Sequence, residues 1–140
     1  MKPKKILFVC KYNRFRSRVA EAYFRKINKN KNIKISSAGV IKGFLPLDKN
    51  QIGVSKEYGI SILGKPKTMS MDLLRKQNKI IVVANDIPKE VFSYKWYNKK
   101  VVFWKIPDVL SGGNTKHVKK IVEMIIKKVN QLNKQLQKRK

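Results

Sequence analysis

One cysteine, one histidine and eight acidic residues are all that the 140 positions hold of those types, and each scarcity removes a class of protein. A lone cysteine cannot form an internal disulfide, and one cysteine with one histidine cannot build a zinc centre of the usual Cys/His kind. No motif asks for a metal or any other cofactor. Long hydrophobic runs are also missing: the apolar stretch at 6–9 is too short for a signal-peptide core, and nothing approaches the roughly 20 apolar residues of a membrane span. These absences point to a reducing cytoplasm, where a free thiol persists. Repeats and linkers are lacking too, and at 42% hydrophobic residues the chain has the size and content of one domain, residues 1–140. Such a domain buries roughly two-thirds of its unfolded surface without staples. Only 138–140 reads as a frayed tail.

What the chain has in excess is lysine. Thirty-four Lys and Arg against eight Asp and Glu give a formal charge of +26, which meets the first criterion for a nucleic-acid partner. The basic residues run from end to end rather than gathering in a patch. The expectation is therefore non-specific adhesion to polyanions at low salt, through counterion release, and no specific nucleic-acid or membrane partner. A positive field of this size also speeds capture of phosphorylated substrates.

Strand and helix signals alternate along the chain, which predicts an α/β fold with a parallel sheet covered on both faces. Apolar runs at 6–9, 33–37, 80–84 and 101–104 read as four strands, the second ending at Gly39. Between them, Val19, Ala20, Tyr23, Phe24 and Ile27 recur at helical spacing, with Arg18, Glu21, Arg25 and Lys26 on the other face and Ser17 as N-cap, predicting a helix over 17–29. Further helices are expected over 49–58, ending at Gly59, and over 70–76, with a short helical stretch whose first turn holds Pro88. After a flexible turn at 111–114, a last helix carries one apolar stripe, Val118, Ile121, Val122, Ile125, Ile126, Val129, Leu132 and Leu136, suited to docking on a sheet.

The chemistry concentrates where the first strand meets the first helix, in Cys10-Lys11-Tyr12-Asn13-Arg14-Phe15-Arg16-Ser17. A loop from a strand's C-terminal end into a helix N-terminus turns successive backbone N–H groups inward and makes a nest for an anion. Cys10 at its base would be the nucleophile, in the thiolate form those donors favour. Arg16 would grip two phosphate oxygens with its planar fork. Asn13 would hold the loop and tolerate a left-handed backbone. Ser17 would cap the helix, hydrogen-bond the Cys10 sulfur, or do both. Lys11, Tyr12, Arg14 and Phe15 would line the rim, Arg14 attracting anions and Tyr12 and Phe15 stacking on an aromatic group or packing inward.

These residues resemble the signature of the low-molecular-weight protein tyrosine phosphatases and of the arsenate reductases that share their fold. That signature is a Cys-x5-Arg-Ser loop with Asn three residues after the Cys and a helix opening much like Val19-Ala20-Glu21-Ala22. Ser37-Ala38-Gly39 is similar to the family's Ser-Ala-Gly after the second strand, and Trp104-Lys105-Ile106-Pro107-Asp108 to the run that delivers its acid. The resemblance implies a four-stranded parallel sheet with helices on both faces and hydrolysis through a phosphocysteine. It implies a phosphorylated protein or a small phosphomonoester as substrate. Departures fall at Tyr12, where the family often has Gly, at Phe15, where a second Cys is common, and at Val109-Leu110, where Pro and aromatic residues usually follow the acid. They weaken the expectation of a phosphotyrosine preference.

Ligands of open α/β sheets sit at the C-terminal strand ends, so Asp108, just beyond the fourth strand, can reach Cys10. Asp108 is expected to protonate the leaving oxygen and then to activate water. Asp86, in Asn85-Asp86-Ile87-Pro88, is the rival acid, though that sequence also reads as a helix cap. His117 is expected on the surface rather than in a dyad with Cys10. Arsenate reduction completed by an external thiol is the alternative activity, and a non-catalytic anion- or nucleic-acid-binding relic the alternative to an enzyme.

Overall fold

The computed structural model describes residues 4–43, 46–94, 100–109 and 114–138. Strand β1 (Lys5–Cys10) pairs in parallel with β2 (Lys34–Gly39) on one side and with β3 (Lys79–Val82) on the other, and β3 pairs in parallel with β4 (Val101–Phe103). The order β2-β1-β3-β4 makes β1 and β3 the inner strands. Successive residues point to opposite faces, so Ile6, Phe8 and Ile81 enter one core while Leu7, Val9, Ile80 and Val82 enter the other, and all are fully buried. Burial on both faces is the reason these runs are continuously apolar.

The larger core lies under α1 (Arg16–Ile27), α2 (Lys49–Glu57) and α4 (Thr115–Lys138), which contribute Val19, Phe24, Val54 and the stripe from Val118 to Leu136. Phe8 and Phe24 meet edge to face at 6.1 Å between ring centres, a geometry that adds to simple burial. The α4 stripe sits inward as its spacing demands, with Ile126 at the margin. The opposite face is covered by α3 (Met71–Arg75) and a 3-10 turn (Lys89–Phe92), through Leu74 and Phe92. No helix among the described residues is long and apolar enough to cross a membrane.

Several expected boundaries move. Helix α1 begins at Arg16 with Phe15 at the N-cap and no side-chain cap; Ser17 is therefore inside the helix and does not cap it. Strand β2 starts one residue later than expected, at Lys34, and ends at the expected Gly39, which also donates to the Lys67 carbonyl and accepts from the Met69 N–H. Pro88 stands just before the 3-10 turn rather than in it. Gly59 does close α2, at φ +73°. The expected turn at 111–114 falls, apart from Asn114, outside the described residues, as does the tail beyond Lys138, to which α4 extends.

The chain winds from β1 to β2 on one side and to β3 and β4 on the other, so the direction of winding reverses between β1 and β3. At such a reversal the loops above adjacent strands diverge and leave a crevice at the C-terminal ends. Cys10 is the last residue of β1, and it sits there.

Candidate active site

The loop leaving β1 is held by a directed set of hydrogen bonds. Asn13 has φ +56°, a left-handed backbone that a short amide side chain tolerates, and is wholly buried. Its Nδ2 donates to Ser17 Oγ at 2.8 Å and to Ser37 Oγ at 2.9 Å, while its Oδ1 accepts from the Lys67 N–H at 2.9 Å. With Ser17 Oγ accepting from Asn13, the Ser17 hydroxyl proton is free for Cys10 Sγ, 3.0 Å away. In the same way Ser37 accepts from Asn13 and donates to Glu21 Oε1 at 2.5 Å. An amide with only donors on one end thus sets the polarity of both hydroxyls, and one points its proton at the Cys10 sulfur.

Glycine 39 is the floor on which this loop rests. A Cβ there would lie 2.7 Å from the Tyr12 carbonyl carbon and 2.8 Å from the Asn13 nitrogen, distances no side chain could occupy. The bare backbone instead lets Val40 donate to the Cys10 carbonyl at 3.0 Å and Ile41 to the Lys11 carbonyl at 2.9 Å. This close approach gives the Ser37-Ala38-Gly39 stretch its physical meaning.

Arg16 is 3% exposed and bonds to the chain beyond β3 and β4. One terminal nitrogen donates to the Ile106 carbonyl at 3.0 Å; the other donates to both oxygens of Asp86, at 3.0 and 3.3 Å, and lies 3.8 Å from Asp108 Oδ2. Asp86 therefore clamps the arginine instead of capping the turn that follows it. Asp108 is freer: its side chain is 45% exposed, and Oδ1 accepts only from the next backbone N–H, that of Val109, at 2.8 Å. Cys10, Arg16 and Asp108 line one small recess of about 30 Å³ together with Tyr12, Arg14, Phe15 and Gln51.

Other expectations fare differently. Phe15 is 4% exposed and belongs to the large core; of the two expectations for it, stacking on a substrate is corrected and packing inward holds, because the residue at the start of α1 must seal the core there. Tyr12 stays partly exposed, with Lys11 Nζ 5.4 Å and Arg14 Cζ 5.2 Å from its ring centre. His117 lies on the first turn of α4, against Pro107, Asn114, Lys116 and Lys120 in a separate hollow, and no Cys10–His117 dyad is assembled. Arg18, expected on the solvent face of α1, is instead buried. Its guanidinium donates to the Ile62 carbonyl at 2.8 Å, the Lys65 carbonyl at 3.3 Å and Asn13 Oδ1 at 3.4 Å. Burial draws it below the usual arginine value, against the opposing pull of Glu21 and Cys10. Gln51 was also missed, although Asp48, whose side chain accepts from the Gln51 N–H at 2.9 Å, marks the start of α2 and so places Gln51 in its first turn. No group of three or more metal-ligating side chains occurs among the described residues.

No curated protein matches the chain, but solved structures do. The tyrosine phosphatase Wzb from Escherichia coli K30, in complex with sulphate, is 20% identical with a TM-score of 0.84, over 97% of this chain and 99% of that one. The YwlE arginine phosphatase from Geobacillus stearothermophilus is 20% identical with a TM-score of 0.83, over 98% and 95%. A low molecular weight protein tyrosine phosphatase from T. tengcongensis is 26% identical with a TM-score of 0.80, over 94% and 98%. Backbone likeness at such identities shows a shared fold. The family described as low molecular weight phosphotyrosine protein phosphatase matches from Lys5, the first residue of β1, through residue 140, and the chain belongs to that family of enzymes.

Proposed function

We propose that the protein hydrolyses phosphate monoesters through a phosphocysteine on Cys10. The observation that carries this reading is the convergence of Cys10, Arg16 and Asp108 on one recess, from strand ends distant in sequence. The Cys10 thiolate attacks phosphorus in line with the leaving oxygen, the P–O bond breaks, and Asp108 delivers its proton to that oxygen. Water then attacks the phosphocysteine while Asp108 takes a proton back, the P–S bond breaks, and orthophosphate leaves with the thiolate restored. The Ser17 hydroxyl stabilises the sulfur as it departs.

Arg16 binds the phosphoryl oxygens through both steps. A guanidinium has five N–H donors; the Ile106 carbonyl takes one, and the two Asp86 oxygens share another on the second terminal nitrogen, so the fork keeps donors for phosphate. Asp86 supplies the orientation, since both its oxygens are turned to Arg16 and it does not line the recess. Asp108 lines the recess and keeps the freedom a proton donor needs, which favours it as the acid. Substrates of this scheme are phosphorylated proteins or small phosphomonoesters, and a cytoplasmic setting suits a lone catalytic thiol. Arsenate reduction would need an external thiol, because Cys10 is the only cysteine.

The test is rapid denaturant quenching during turnover of an aryl phosphate. The phosphoryl group should be recovered on the Cys10 peptide. Product formed with no phosphoenzyme, and undiminished in Cys10→Ser, would overturn the reading.

A further inference from the structure

Four of the five arginines among the described residues are tied to oxygen: Arg16 to Asp86 and Ile106, Arg18 to carbonyls, Arg25 to Glu21, and Arg75 to Asp72. Arg14 is not. Its Nε is buried without any hydrogen-bond partner, and no carboxylate among the described residues pairs with it. The side chain is nonetheless held in place. Its guanidinium lies 5.2 Å from the Tyr12 ring centre, and Tyr12 and the Arg14 stem pack on Gly43, where a Cβ would come within 3.4 Å of Tyr12 Cβ and 3.7 Å of Arg14 Cδ. A cation fixed by packing, facing the same recess as Cys10 and Arg16 and left without an anion, has the form of half a binding contact.

The aromatic content of the recess strengthens the point. Of its two rings, Phe15 is sealed in the core, and Tyr12 already carries Lys11 and Arg14. The other free polar wall is Gln51, while Asp108 faces the leaving oxygen in the scheme above. The ion pairs agree: Arg16 is paired with Asp86 and lies 3.8 Å from Asp108, whereas no carboxylate among the described residues pairs with Arg14.

Resting on the phosphatase reading, we propose that Arg14 is a specificity-determining residue, and that the preferred substrates are phosphomonoesters whose leaving group carries a second anionic group, a carboxylate or a further phosphate, bound by the Arg14 guanidinium. A bare aryl group gains little in such a recess. The second anion has two possible sources, a small metabolite or an acidic side chain beside a phosphorylated residue, and the chemistry at Arg14 is common to both.

The experiment compares 4-carboxyphenyl phosphate with its neutral isostere, 4-carbamoylphenyl phosphate. In the wild type, kcat/KM should favour the carboxylate by roughly tenfold or more, the scale of one charge-assisted hydrogen bond. In Arg14→Gln the ratio should fall to within about twofold of unity, with Arg14→Lys between, since an ammonium keeps the charge but loses the fork. The matching pair of non-hydrolysable phosphonates, titrated calorimetrically into the Cys10→Ser enzyme, should show the same ratio in Kd and the same loss in Cys10→Ser/Arg14→Gln. Phosphotyrosyl peptides with Glu or Gln next to the phosphorylated residue identify the source: a preference for Glu points to protein substrates, a preference confined to the small esters points to metabolites. A wild-type ratio near one in both esters and peptides, or a preference that survives Arg14→Gln, overturns the proposal. If neither ester is turned over, the phosphatase reading fails, and the phosphonate pair still decides the role of Arg14.

Discussion

Cys10 and Asp108, the proposed nucleophile and the proposed acid, reach the recess from walls built in opposite ways. On the nucleophile side, one continuous stretch supplies Cys10, Asn13, Arg16, Ser17 and Arg18, all buried and cross-linked by hydrogen bonds to β2 and to the chain at 62–67. On the acid side, Asp86 and Asp108 come from separate loops, with side chains 32% and 45% exposed. The contrast suits the role proposed for each wall. Stabilising a thiolate and a transferring phosphoryl group requires donors already in place, since any reorganisation would consume their electrostatic benefit. Proton transfer to varied leaving groups, and then from water, requires access and some freedom of the carboxyl group. The buried wall is also where chain-specific compensation appears. Arg18 is a buried cation satisfied by carbonyls and by the same Asn13 that orients Ser17, tying the loop to a segment remote in sequence.

The sharpest break in this comparison comes from the proposed nucleophile. Cys10→Ser is expected to reduce turnover to background, because a hydroxyl in the same nest stays protonated and has no base beside it. Calorimetry should still detect phosphate binding, since Arg16 and the loop remain. Next comes Asp108→Asn, with a loss of about 100- to 10,000-fold on alkyl or unactivated phenyl phosphates. The burst of phenol from an ester with a very acidic leaving group should change far less. Asp86→Asn should instead slow every leaving group alike, by roughly ten- to a hundredfold, the scale of one hydrogen bond to a charged group. If the graded pattern appears in Asp86→Asn and the uniform one in Asp108→Asn, the two roles are exchanged.

Gly39→Ala probes the buried wall without touching a polar group. Because the added methyl meets backbone at 2.7 Å, the loop must shift; overpacking of this kind lowers stability by about 1–3 kcal/mol. Denaturant melts and phosphate affinity should both show the change, and a normal value in both would mean the loop adapts more freely than its packing implies. The smallest effect is expected outside both walls, where Tyr58 donates to Glu123 Oε2 at 2.8 Å between the end of α2 and α4. Tyr58→Phe should leave kcat/KM intact and lower stability by about 1 kcal/mol or less. Its hydrogen bond to Glu123 raises the Tyr58 phenol above its ordinary value. A raised folded-state pKa stabilises below the unfolded value and loses that contribution as pH rises through the folded one, so the difference from wild type should shrink in alkaline melts.

The family membership rests on features that a linear reading already contains. Apolar runs at 6–9 and 80–84 are local properties, and so are the helical stripe from Val118 to Leu136 and the order Cys10, Asn13, Arg16, Ser17 at a strand-to-helix junction. Each follows from spacing along the backbone, and the sheet with its helices follows from their alternation. Periodicity, however, counts Arg18 as polar and turns it outward. Only the Ile62 and Lys65 carbonyls, brought in by the return of the chain toward β3, make burying that cation favourable. Capping rules misplace Ser17 and Asp86 for a related reason. A local rule ranks competing hydrogen bonds within a few residues, whereas the partners that prevail, Asn13 Nδ2 for Ser17 and Arg16 for Asp86, are set by how β1, β2 and β3 line up. The sequence by itself determined the candidate nucleophile, the loop that holds it and the layered architecture, because these are written in short-range spacing. Which aspartate clamps and which stays free, and that Arg14 faces the recess without a partner, were decided only by the tertiary structure, because long-range contacts choose among side-chain partners that local physics leaves nearly equal.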